Sequence, residues 1–313
     1  MLYAKYLVSG RFESDAILPK IKGSTFRGIF GIALRNISCV LKSQKCNSCI
    51  LNSNCLYAKF FERANITSQY NTYNYPYSNP FVIEFPLSKE TKFPSGSSFN
   101  FNLIILGEDN KNLNYFIFAL EQMGKIGIGK KINGKRGKYF LEYIKYNDFL
   151  VYSYQNEKIN IPKNIQDISL KDLFPSNKIQ CNKIKINIIT PLRVKYHNRL
   201  ASSLPFHLLI RAILRRAGSL FSWHGKEVPN FDYKNLITEA QKISIIEENI
   251  KWFEWRRYSN RQKQSMLIGG IIGSIIYEGN IGGFIPLIDF ASKVHIGKQT
   301  TFGLGQLEYE ILV

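Results

Sequence analysis

"KVHIGKQTTFGLGQLEYEI", residues 293–311, has a counterpart upstream, "KIGIGK" at residues 125–130. Each glycine-bearing stretch follows an apolar, helix-like segment, "LNYFIFALEQMG" at 113–124 and "GGFIPLIDFASK" at 282–293. Each then leads into a strand carrying Leu-Glu-Tyr, Leu141-Glu142-Tyr143 and Leu307-Glu308-Tyr309. Six matching residues arise easily by chance, but matching flanks on both sides point to an internal repeat.

Working outward from these anchors gives one order of elements twice. In the first half, "LYAKYLV" alternates as a strand. "STFRGIFGIALRNISCVL" then has the apolar spacing of a helix, with Ser24 or Thr25 as its cap. Strands near 80–86 and 98–106, a helix near 111–123 and a strand near 138–146 follow. In the second half come the strand "KIKINII" and the helix "SLPFHLLIRAILRRAGSLF". Strands near 243–258 and 265–277, a helix near 283–292 and a final strand complete it. The expected class is α+β, two tandem ferredoxin-like (βαββαβ, RRM-like) domains. They span 1–148 and 182–313, with the polar stretch 149–181 as a linker.

The balance of 42 Lys+Arg against 23 Asp+Glu gives a formal charge of +19 and attracts polyanions, nucleic acid before membrane. The longest apolar run, "MLIGGIIGSIIY" at 266–277, is too short to span a bilayer, and the first residues lack a signal-peptide layout. The expectation is a cytoplasmic protein with reduced cysteines and no membrane partner. Cys39, Cys46, Cys49 and Cys55 follow the spacing C-x6-C-x2-C-x5-C, which suits a tetrahedral thiolate site. Structural zinc is the expected occupant, and an iron–sulfur cluster takes the same ligands. With no open position, such a metal would not be catalytic. Cys181 stands alone.

Four stretches resemble the CRISPR-associated RAMP proteins, in particular the endoribonucleases that cut precursor CRISPR RNA within its repeats. "GSTFRGIFGIALR" (23–35) is similar to the first-helix motif, and "CVLKSQKCNSCILNSNCLYAKFFE" (39–62) to the cysteine insert of one branch. "RRYSNRQKQSMLIGGIIGSIIYEG" (256–279) resembles that branch's central hairpin, and "HIGKQTTFGLG" the terminal glycine-rich signature. The resemblance implies RAMP architecture with a small four-cysteine metal insert at 39–55 in the first domain. It implies repeat RNA as partner, subunits of a CRISPR effector complex as further partners, and a terminal loop lying against RNA. A non-catalytic RAMP subunit that cradles guide RNA is the alternative. A basic module for DNA or ribosomal RNA is a third reading.

Phosphate contacts are expected from the loop 125–138, through Lys125, Lys130, Lys131, Lys135, Arg136 and Lys138, with a solvated hairpin as the plainer reading. Arg256, Arg257, Arg261 and Lys263 mark a hairpin turn, and Gly297, Gly303 and Gly305 allow close approach to RNA. Tyr70, Tyr73, Tyr75 and Tyr77 offer stacking surfaces, or simply pack on the body. Arg211, Arg215 and Arg216 fall near one helix face. RNA cleavage without a metal needs a base, an acid and cations around a 2′-hydroxyl nucleophile, and histidine suits either proton role. The first helix has no histidine, although many members of the family carry their catalytic histidine there. His295, with Lys298 nearby and Lys22 and Arg27 as charge stabilisers, is therefore the expected catalytic set. His207 reads as a satisfied core residue, flanked by His197 and His224 in loops.

Overall fold

The computed structural model describes all residues except 43, 63–74, 86, 87, 89, 175–178, 260–263 and 313, and the side chains of 258 and 259. Tyr70, Tyr73, Arg261 and Lys263 thus lie outside the described residues. The chain divides into two compact units, one of residues 1–168 with 223–225, the other of 169–222 with 226–313.

In chain order the first unit contains β1 (Leu2–Phe12), β2 (Ala16–Ile17), α1 (Gly23–Ser38), β3 (Phe81–Glu84), β4 (Lys92–Phe93) and β5 (Ser98–Leu106). Then follow α2 (Leu113–Ile126), β6 (Ile128–Ile132), β7 (Lys135–Gly137), β8 (Tyr139–Tyr146), β9 (Phe149–Ser153) and β10 (Gln166–Asp167). The main antiparallel sheet runs β3-β5-β1-β8-β9, with β10 pairing β1. One face of β1 places Tyr6, Val8 and Phe12 in the core, where they meet the apolar stripe Phe26, Ile29, Phe30, Ala33 and Leu34 of α1. The core is rich in phenylalanine. Phe26 packs on Phe85, Phe99 and Phe101, and Phe30 on Phe81 and Phe116. Each such ring buried is worth roughly 2–3 kcal/mol.

The second unit contains β11 (Lys183–Leu192), β12 (Lys195–Tyr196), β13 (Arg199–Leu200), α3 (Phe206–His224) and α4 (Tyr233–Ala240). It continues with β14 (Ser244–Ser259), β15 (Gln264–Glu278), α5 (Ile285–Val294) and β16 (Leu307–Leu312). Its antiparallel sheet runs β14-β15-β11-β16. Taking the four expected strands of each unit in chain order, both sheets read second, third, first, fourth. β14 and β15 stay paired from Ser244↔Glu278 to Ser259↔Gln264, with one register shift between Ile245 and Glu247, whereas the last β11 partner of β15 is Leu192↔Ile271. The far part of that hairpin is therefore a two-stranded arm.

Two expectations are corrected. Helix α1 starts at Gly23 with Lys22 as its cap and no side-chain cap bond, so Ser24 and Thr25 sit inside the first turn. The backbone of Lys22 takes the capping role, its carbonyl accepting from the amides of Thr25 and Phe26. The stretch 149–181 is not a plain linker. Val151 and Tyr152 of β9 are buried in the first core, and β10 meets the start of β1, where the Met1 amine donates to Asp167. The apolar run "FLVY" carries that strand, which polarity averaged over the whole stretch conceals.

Candidate nucleic-acid interface

The terminal loop, residues 295–306, is held from within the second unit. The Ile296 amide donates to the Gly305 carbonyl at 3.0 Å, and the Lys298 amide to the Arg193 carbonyl at 2.9 Å. Thr190 Oγ1 donates to the Gly303 carbonyl at 2.7 Å and accepts from the Gln306 amide at 2.9 Å. Arg216 is buried, and its Nε and Nη2 donate to the carbonyls of His295 and Val294, which end α5, at 3.2 and 3.1 Å. Burial pulls its proton affinity down to about 9, which still leaves it charged at neutral pH.

These contacts revise several expected roles. Gly303 and Gly305 are buried, and a Cβ on Gly305 would stand 1.8 Å from the Ile296 carbonyl oxygen. They let the loop fold on itself; only Gly297 of the three is exposed. His295 has 0% exposure, and its Nδ1 lies 3.2 Å from the Leu304 carbonyl. A ring so enclosed anchors the loop and does not reach a substrate, so the proton-transfer role expected of it is withdrawn. Lys22 is 3% exposed, its ammonium donating to the Ser88 carbonyl at 3.1 Å beside the Phe93 ring. It too is a structural cation. Arg27 is half-buried, with its guanidinium 4.8 Å from the Phe61 ring centre.

Lys298 remains at the surface. Its proton affinity is lowered, first by partial burial and then by Lys195, Arg215 and Arg193 close by. Among the described residues no carboxylate pairs with Lys195, Arg211, Arg215 or Lys298. Cations left together without counterions form a ready polyanion site. Replacing Lys298 by Ala should weaken RNA binding and lower the slope of log affinity against log salt by about one. Salt titrations of the two proteins measure this, and an unchanged slope removes Lys298 from the contact surface.

Beside this group stands the β12–β13 hairpin. His197 and Asn198 both have positive φ, 45° and 63°, as a two-residue primed turn requires. The Tyr196 ring lies 4.0 Å from His197 and 6.4 Å from His207, centre to centre. His207 is half-exposed in the first turn of α3, contrary to its expected core position. The spacing His207, Arg211, Arg215 puts all three on one helix stripe, a signal available in sequence but masked by the apolar residues between them.

In the first unit, the stretch 125–138 begins in the last turn of α2, which holds Lys125, and continues as the β6–β7 hairpin, in a small sheet ordered β4-β2-β6-β7. Gly129 serves close packing, since a Cβ there would approach the Ile17 carbonyl oxygen to 2.3 Å. Lys125, Lys130, Lys131, Lys135 and Lys138 are exposed, while Arg136 is half-buried and donates to the Gly129 carbonyl at 3.0 Å. In the second unit Arg256 is exposed on the arm, and the Arg257 guanidinium lies 4.6 Å from the Phe302 ring. Tyr77 donates to the Lys59 carbonyl at 2.9 Å and packs edge-on to Trp223, so it is tied to the body of the first unit. Trp223 Nε1 donates to the carbonyl of the neighbouring Tyr75 at 3.0 Å.

The four cysteines of the insert are partly exposed. Burial raises the Cys46 thiol, with Glu62, Cys39 and Cys55 adding to the rise and Arg35 opposing it. Among the described residues no three potential ligands are arranged to hold a metal ion. Cys181 is buried, its thiol donating to the Lys183 carbonyl at 3.4 Å.

This cationic surface suits a polyanion. A family model described as an N-terminal domain matches residues 1–164, and that of the CRISPR-associated endoribonuclease Cas6 matches residues 186–307. Residues 186–307 are thus similar to the CRISPR-associated Cas6 endoribonucleases. Among solved structures it is similar to a Cas6 product complex, with 13% identity, 99% of this chain and 100% of that chain covered, and a TM-score of 0.55. Thermus thermophilus Cas6 gives 11%, 99%, 98% and 0.52. A chain in a partial Cas6-RT-Cas1–Cas2 complex gives 14% identity over 100% of this chain and 46% of its own, with a TM-score of 0.59. At these identities the similarity is one of fold. No curated protein matches. None of the described helices is long and apolar enough to cross a membrane.

Proposed function

We propose that this protein, built as two tandem ferredoxin-like units, cuts precursor CRISPR RNA within its repeats by metal-independent attack of the 2′-hydroxyl. The products are a 2′,3′-cyclic phosphate and a 5′-hydroxyl. The observation that carries the reading is the unneutralised cation group around the terminal glycine loop, inside the segment that matches the Cas6 family. The nucleophile is already tethered beside the phosphorus, so the protein needs only to orient the strand, move two protons and offset charge. Lys298 and Arg215 supply charge at the loop, and Arg256 and Arg257 extend the surface along the arm. Arg27 and the β6–β7 lysines offer phosphate contacts in the first unit. The solved Cas6-RT-Cas1–Cas2 complex supports CRISPR proteins as further partners.

The test is cleavage of end-labelled repeat RNA from the host's own array in EDTA, with parallel substrates carrying one 2′-deoxy each. Cutting that persists in EDTA and disappears with a single deoxy position is the expected result. Binding without cutting would overturn the enzyme reading in favour of a guide-RNA-binding subunit.

Zinc at Cys39, Cys46, Cys49 and Cys55 is a separate proposal, supported by the spacing of the four cysteines. In that reading the metal gathers the thiols, with Arg35 beside them offsetting their charge. About one zinc per chain, lost when Cys46 and Cys49 become Ser, is expected by elemental analysis. A metal-free protein with an intact fold would end it.

A further inference from the structure

The β12–β13 hairpin belongs to neither main sheet; its strands pair with each other, Lys195↔Leu200 and Tyr196↔Arg199. A hairpin of that size is marginal by itself, and this one grows from the residue that anchors the terminal loop. The Lys298 amide donates to the Arg193 carbonyl at 2.9 Å, and Arg193 Nη1 donates to the Gly269 carbonyl of β15. The Ala201 amide closes the hairpin's base on the Val194 carbonyl at 2.9 Å. Tyr196 is three residues from Arg193, so its backbone lies within about 11 Å of the point that holds Lys298.

Lys195, Tyr196, His197, Asn198 and Arg199 are all exposed, Tyr196 to 38%. Among the described residues no carboxylate pairs with Lys195 or Arg199. The rings of His197 and His207 meet that of Tyr196 edge-to-face, their planes turned 66° and 71° from it. No ring among the described residues is stacked flat on Tyr196. Flat stacking is the contact a nucleobase makes with an aromatic side chain. His197, at φ 45°, occupies a turn position that Asn or Gly takes more easily, so an aromatic ring is kept there against backbone preference.

We propose that this hairpin is a stacking subsite for one unpaired base of the repeat RNA, held on Tyr196 while Lys195 and Lys298 take the adjoining phosphates. The proposal rests on the RNA-processing reading above and adds to it a choice of nucleotide beside the terminal loop. A base inside a duplex has both faces covered by its neighbours, so the hairpin selects a position where the strand is open. Asn198 offers two donors and an acceptor to the edge of that base. Burial and then Arg211 hold the proton affinity of His207 below its ordinary value of 6.5, so the ring packed against Tyr196 is uncharged at neutral pH.

Binding of repeat RNAs that carry 2-aminopurine at one position each tests the subsite, because stacking quenches the fluorescence of that base. One position outside any duplex should be quenched by the unmodified protein. Tyr196→Ala should restore its emission and weaken binding by roughly tenfold, with salt slope and melting temperature retained. Tyr196→Phe should behave as the unmodified protein; a loss equal to that of Tyr196→Ala would assign the effect to the hydroxyl and overturn stacking. An abasic site at the quenched position should weaken binding by the unmodified protein to the same extent and cost Tyr196→Ala nothing further. Full affinity in Tyr196→Ala, or an abasic penalty that adds to its loss, would overturn the subsite. Cutting of the same RNAs is scored separately. Stacking without cutting keeps the subsite and ends the endoribonuclease reading, whereas cutting with no position dependent on Tyr196 does the reverse. A protein that binds none of these RNAs ends both.

Discussion

Gly305→Ala is expected to lower the melting temperature of the second unit by about 6–12 °C, the equivalent of roughly 3 kcal/mol. Two costs combine. The residue has φ of 74°, where a side chain costs about 1–2 kcal/mol. The new Cβ would also sit 1.8 Å from the Ile296 carbonyl oxygen, a backbone atom that cannot swing aside. Relief requires parting the Ile296–Gly305 bond and, with it, the Thr190 link to Gly303 and Gln306. RNA affinity should fall as well, because Lys298 is presented by the same loop. Calorimetry and filter binding read the two effects. A variant with unchanged melting would mean that the loop is not closed as described.

Arg216→Ala is the second large effect, a loss of about 2–5 kcal/mol from two orphaned carbonyls. It removes two hydrogen bonds from carbonyls at the end of α5, where the helix dipole is negative, and leaves both buried without a donor. Its neighbour supplies the control. Arg215 is exposed, so Arg215→Ala should leave melting within about 0.5 kcal/mol of wild type while weakening RNA binding. Chemical denaturation of the two single variants separates the roles. Equal stability losses would show that the pair had been wrongly divided between support and surface.

Much of the fold was legible because its elements have clean periods. Strand β5 lies where alternation placed it, and α2, α3 and α5 differ from expectation by two or three residues at their ends. The duplicated loop located both final strands. The site was harder to read, because sequence shows residue type but not burial. His295 and Lys22 carry suitable chemistry, and the fold encloses both. His207 lies among apolar helical residues, yet the start of α3 turns it toward solvent and the β12–β13 hairpin. That hairpin spans only two short strands, too little for a periodic signal. Glycines misled for a related reason. Gly129 and Gly305 do permit close approach, but the approaching backbone in each case is the protein's own.

The residues that end α2 and α5 have a wider consequence. Gly127 sits at φ 82°, ψ 154°, and His295, its counterpart in the repeat, at φ 55°, ψ 148°. One half uses the residue best suited to this conformation. The other accepts strain of order 1–3 kcal/mol to place an imidazole in the interior. The joint between helix and final strand is thus interchangeable between the halves, and its angles persist whichever side chain occupies it. Each half can change its chemistry at this joint while the inherited scaffold stays the same.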